Sequence, residues 1–97
     1  MKRIGFIGCG NMAGAMIGGI IGKNLVAPEE IYASNRSQGA LDRAKEQWGI
    51  CVTRDNREVA KESKIIVLSV KPQFYELVIG EIRDVVTDDQ IILTIAP

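Results

Sequence analysis

The 97-residue chain contains no histidine, which leaves any nucleophile in it without an imidazole base. Cysteine is nearly as scarce: Cys9 and Cys51 stand alone, without the paired spacing of a zinc site, and no metal is expected. Two such thiols read as free and buried, in keeping with a reducing cytoplasm. Cys9 lies where a helix is expected to start, a setting that lowers thiol pKa values, but nothing is at hand to activate it as a nucleophile. Charge of one sign is not in excess, with 12 Lys and Arg against 12 Asp and Glu, so there is no basic surplus for nucleic acid. No repeat or low-complexity tract interrupts the chain, and 46% hydrophobic content suits one globular domain.

Charge is missing altogether between Arg3 and Lys23. A basic start followed by an apolar run is also the pattern of a signal peptide, with Ala13-Gly14-Ala15 as a cleavage site, and Gly14-x-x-x-Gly18 imitates a transmembrane pairing motif. The run is crowded with glycine, broken by Asn11, and flows directly into further strand and helix pattern. It is therefore expected to belong to the fold, with no membrane span.

Within it, Lys2 to Gly14 reads as a buried strand that turns into a helix. Ile4, Phe6 and Ile7 supply the apolar run of a strand covered on both faces. Gly8 permits a tight turn, Gly10 leaves room for a ligand backbone, and Ala13 is small enough for close packing of helix on strand. Free N–H groups near Asn11 and Met12 would face a pyrophosphate.

Downstream, strand-length apolar runs alternate with helical periodicity, which predicts an α/β fold: a Rossmann-like, doubly wound, three-layer parallel sheet of about five strands. The expected strands are the first run, Ile31 to Ser34, Ile50 to Thr53, Ile65 to Val70 and Ile91 to Ile95. The helices are Met12 to Gly22, one with Leu41, Ala44 and Trp48 on a single face, a short one opened by a capping box at Asp55-x-x-Glu58, and one after Pro72 with Phe74, Leu77, Val78 and Ile82 on its inner stripe.

In such a sheet, ligands bind beyond the carboxyl ends of the strands. Behind the second strand, where an acidic residue would select NAD, stand Ser34-Asn35-Arg36-Ser37. Nothing there repels a 2′-phosphate. Hydroxyl and amide donors can bond it, and Arg36 can pair with it or stack on adenine, so NADP is preferred over NAD. Asn56 either caps the third helix or donates to the adenosine side. Ser69-Val70-Lys71-Pro72 would pass beside the nicotinamide half, with Lys71 either on a ligand or in solvent.

Taken together, Ile4 to Ala13, Ala33 to Ser37, Asp55-Asn56 and Val70 to Gln73 resemble pyrroline-5-carboxylate reductase in order and spacing over the whole chain. The resemblance implies reduction of the cyclic imine 1-pyrroline-5-carboxylate to L-proline by NAD(P)H, the last step of proline synthesis. It places cofactor contacts on Phe6, Ile7, Gly8, Cys9, Gly10, Asn11, Ser34, Asn56, Ser69, Val70, Lys71, Pro72, Ile95, Ala96 and Pro97. Pro97 departs from the family, in which a second small residue usually follows the alanine. The resemblance further implies a following helical domain that supplies the substrate pocket and makes the protein a homodimer or higher homo-oligomer. Residues 1–97 would then be the dinucleotide-binding domain alone, and no residue in them is named as the proton donor. The alternatives are a stand-alone NADP-binding module without turnover, or a reductase acting on a related imine or keto substrate.

Overall fold

A computed structural model describes residues 1–95. Five strands, β1 (Lys2–Ile7), β2 (Ile31–Ser34), β3 (Cys51–Thr53), β4 (Ser63–Leu68) and β5 (Ile91–Thr94), form one sheet in the order β3-β2-β1-β4-β5, every pairing parallel. The order reverses at β1, so β1 lies between β2 and β4 and its carboxyl end opens at the switch point. The expected fold class is the observed one.

Side chains of β1, β2 and β4 alternate between two cores, as a strand's period of two requires. Ile4, Phe6, Ile31, Ala33 and Val67 pack with Ala13 and Ile17 of α1 (Asn11–Gly22) and Ala44 of α2 (Gln38–Trp48). On the opposite face Ile7, Tyr32, Ile66 and Leu68 meet Val59 and Ala60 of α3 (Asn56–Glu62) and Val78 and Ile82 of α4 (Tyr75–Ile82). Gly5 makes the second layer possible: a Cβ there would lie 2.2 Å from Ser63 Oγ and 2.6 Å from Val59 Cγ1. Arg57 joins α3 to the residues after α4, donating to both carboxylate oxygens of Asp84 (2.6 and 3.1 Å) and to the Glu81 carbonyl (2.9 Å). That guanidinium holds the Asp84 carboxyl below its ordinary range, so the tie weakens as pH falls and Asp84 gains its proton.

Several elements differ from the sequence expectation. The fourth strand begins and ends two residues early, because Ser63 leaves α3 already extended while Ser69 and Val70 turn toward β1. Asp55 does cap α3, its Oδ1 accepting from Arg57 N at 2.9 Å, but Glu58 does not complete the box. Its carboxylate instead accepts from Tyr32 Oη (2.5 Å) and Thr53 Oγ1 (3.2 Å). Burial, and then this carboxylate, raise the Tyr32 phenol above its ordinary value. Beyond β4, Pro72–Phe74 forms a tight 3-10 turn before α4 starts, and the change of pitch rotates the expected stripe. Val78 and Ile82 are buried as expected, whereas Leu77 is 53% exposed and Phe74 faces a cavity. Cys9 is buried, but Cys51 is only half-buried. The edge strand β5 leaves Ile91, Ile92 and Leu93 exposed. Among the described residues no helix is long and apolar enough to cross a membrane.

Candidate functional site at the switch point

The apolar run of β1 ends at Gly8, whose φ of +95° only glycine adopts without strain, and a Cβ there would also meet Val70 Cγ1 at 2.7 Å. Three strands hold this turn. Gly8 N donates to the Ser34 carbonyl of β2 (3.0 Å), and Ser69 N, just after β4, donates to the Ile7 carbonyl (3.0 Å). The Ser69 hydroxyl adds bonds to the carbonyls of Ile7 (3.0 Å) and Gly8, and Asn35 Nδ2 donates to the Cys9 carbonyl (2.9 Å).

Gly10 follows as the N-cap of α1, with nothing within 4 Å of where a Cβ would stand. The helices of the first three crossovers differ at their starts: Ser37 caps α2 and Asp55 caps α3, but no side chain caps α1 and its first turn carries no acid. The donors of that turn, where Asn11 and exposed Met12 stand, are thus left for an acceptor from outside the chain.

Beside the turn is a cavity of about 290 Å³ lined by Gly8, Cys9, Gly10, Asn35, Arg36, Asn56, Ser69, Val70, Lys71, Phe74 and Val78. It gathers nine of the residues expected from sequence. Phe6 and Ile7 are fully buried, so any contribution from them is through the backbone. Pro72 starts the 3-10 turn outside this lining, and Ile95 lies on the first core with its carbonyl accepting from Tyr75 Oη. Ala96 and Pro97 lie outside the described residues.

The β2 end corrects one expectation. Ser34 is fully buried and its hydroxyl donates to Asn56 Oδ1 (2.7 Å), so its side chain supports Asn56 and does not reach a ligand. Asn56 is the first residue of α3, not its cap, and its amide nitrogen also reaches Glu81 at 3.3 Å. Asn35 is occupied by Cys9, while its Oδ1 accepts from Ser37 N at 3.0 Å. Ser37 Oγ accepts from Ala40 N and retains its own proton to donate. At the β2 end the exposed donor that remains over the cavity is Arg36, whose guanidinium carbon lies 5.7 Å from the centre of the Phe74 ring, and exposed Lys71 lines the cavity from the β4 end. Helical spacing places Phe74 and Val78 on a core stripe, which hides them as site residues. Pro72, which can open a 3-10 turn, was the available signal.

Burial pushes the Cys9 thiol up, away from the reactive thiolate. Alkylation at neutral pH should therefore modify Cys51 first and Cys9 at least about tenfold more slowly, with Cys51→Ser retaining only the slow phase. A fast phase in that variant would contradict the assignment.

The family described as NADP oxidoreductase, coenzyme F420-dependent, matches residues 3–97. The chain belongs to that family. This oxidoreductase-family chain is 36% identical over 95 residues to the pyrroline-5-carboxylate reductase of Methanosarcina acetivorans, covering 98% of the chain and 35% of the relative. To pyrroline-5-carboxylate reductase 3 of Danio rerio it is 44% identical over 94 residues, 97% of the chain and 32% of the relative. Among solved structures, a pyrroline-5-carboxylate reductase from Coxiella burnetii superposes with a TM-score of 0.91 at 36% identity, again over 98% of the chain and 35% of that protein. The chain spans about a third of the length of these relatives.

Proposed function

We propose that this chain is the NADP(H)-binding domain of a pyrroline-5-carboxylate reductase. The observation that carries the cofactor reading is the pairing of an uncapped α1 start behind side-chain-free Gly10 with a β2 end that offers Arg36 in place of an acid. The names of the relatives support the substrate, and their length supports a further domain that completes its pocket and joins copies of the protein. The exposed face of β5 is the surface such a domain would cover. A cytoplasmic setting accords with two free cysteines.

The residues fit the cofactor in three places. The Gly8 to Met12 backbone would take the pyrophosphate, Arg36 with the Ser37 hydroxyl the 2′-phosphate, and the Ser69 to Lys71 side the nicotinamide half. A bound dihydronicotinamide supplies hydride to the imine carbon. This domain's share of the reaction is orientation: Ser69 and Asn35 fix the turn from both sides before any ligand arrives.

Calorimetric titration with NADPH and NADH tests this reading. Both should bind, NADPH more tightly, and Arg36→Ala should weaken NADPH more than NADH, by roughly 1–3 kcal/mol. Equal losses would refute the 2′-phosphate role, and no binding of either cofactor would refute the domain assignment.

A further inference from the structure

The segment between β4 and α4 supplies Ser69, Val70, Lys71 and Phe74 to the cavity wall, and both of its ends are tied to a single residue of another strand's exit. That residue is Ile95, just past β5. At the start of the segment the Leu68 carbonyl accepts from Ile95 N at 3.3 Å, and at its finish the Tyr75 phenol donates to the Ile95 carbonyl across 20 residues of chain. The bonds form a closed clasp, Leu68 to Ile95 to Tyr75. Its anchors lie in different cores, since Ile95 packs on the first whereas Tyr75 and Val70 pack on the second. The phenol thus joins the two layers across the carboxyl end of the sheet. Within the clasp the backbone is stiffened again, because Pro72 fixes its own dihedral and Phe74 N donates to the Lys71 carbonyl at 2.9 Å. Ser69 is held separately, by the carbonyls of Ile7 and Gly8.

We propose that Tyr75 is a positioning residue for the nicotinamide half of the cofactor: by closing this clasp it sets the spacing between Val70 and Lys71 on one side and the end of β5 on the other. This rests on the cofactor reading above, which gives the Ser69 to Lys71 side to the nicotinamide, and adds to it a residue outside the cavity lining. Tyr75 acts on the ligand only through what its hydroxyl holds. Phenylalanine in its place keeps the aromatic packing on the second core and loses one bond, so the Ile95 carbonyl is left without that donor. The two walls then take a range of spacings. A ring that must present one carbon for hydride transfer depends on a single spacing, whereas the adenosine end, held from the β2 side, does not.

That difference between the two ends makes the test specific. In titration calorimetry of the chain, Tyr75→Phe should weaken NADPH by about threefold to tenfold, the net worth of one hydrogen bond expressed as affinity, while 2′,5′-ADP, which carries adenine but no nicotinamide, binds within about twofold of wild type. Tyr32→Phe is the matched control. It too deletes the bond of one phenol, to Glu58, and it lies outside the cavity lining, so it should leave the ratio of the two affinities unchanged whatever it does to the melting temperature. An unchanged ratio in Tyr75→Phe, whether from no loss or from equal losses for both ligands, would overturn the positioning role and leave Tyr75 a purely structural tie. An equal shift of the ratio in Tyr32→Phe would overturn it as well. Failure of the wild-type chain to bind either ligand would overturn the proposal together with the cofactor reading beneath it.

Discussion

Gly10→Val should abolish dinucleotide binding, with affinity falling by about a hundredfold or more, while the melting temperature stays within about 3 °C of wild type. The two halves of that expectation have separate causes. Gly10 sits at φ −102° and ψ −160°, extended backbone that any residue adopts, and its missing Cβ would touch nothing. Folding is therefore indifferent to the side chain. The isopropyl group would nevertheless project over the first turn of α1, between the free N–H donors and the pyrophosphate they are proposed to hold. Steric exclusion and loss of several charge-assisted bonds act together there. Titration calorimetry and a thermal melt of the same sample check both halves, and retained affinity would mean that the ligand runs elsewhere.

The opposite behaviour is expected at Gly5, inside β1. Gly5→Ala should cost about 2–3 kcal/mol of stability and lower the melting temperature by roughly 10–20 °C. A Cβ at Gly5 would stand 2.2 Å from Ser63 Oγ, 2.9 Å from Ser63 Cβ and 2.6 Å from Val59 Cγ1. Rotation of the Ser63 hydroxyl relieves the first contact only. Val59 is fixed by α3, so the helix must retreat from the sheet and loosen Ala60 and the start of α3, where Asn56 is held. The urea midpoint should fall with an unchanged slope. Ser63→Gly in the same chain should restore part of the loss, because the two sites share one volume. An unchanged midpoint in the single variant would show that α3 does not bear on β1.

These two glycines mark what was legible in the sequence. Gly8 and Gly10 were interpretable because a strand, a turn and a helix lie consecutively around them, and the site they form is local. The five strands were legible for the same reason, each being a short apolar run. Gly5 was not, since its necessity comes from Val59 and Ser63, which the chain brings back only through the fold. Ser34 looked like a ligand contact by its position after β2, yet its hydroxyl faces Asn56, 22 residues away. Glu58 has the spacing of a capping box but meets Tyr32, 26 residues away. In each case a nearby pattern competed with a distant partner: burial made the hydrogen bond of Ser34 obligatory, and exposed Glu58 was drawn to the hydroxyl of buried Tyr32. Phe74 leaves the helical stripe because a 3-10 turn does not advance as an α-helix does.

The glycine turn is stapled by Ser69, 62 residues further along the chain, and that separation bears on how the domain folds. Pairing of β1 with β4 closes a loop that holds two further strands and three helices, so the nucleotide pocket carries one of the larger loop-closure entropies in the domain. A ligand that needs both sides of the turn has no half-built site to bind. Its binding energy is accordingly linked to global unfolding and not to fraying of any single segment. Saturating dinucleotide should raise amide-exchange protection in β1, β2 and β4 together, by one common increment.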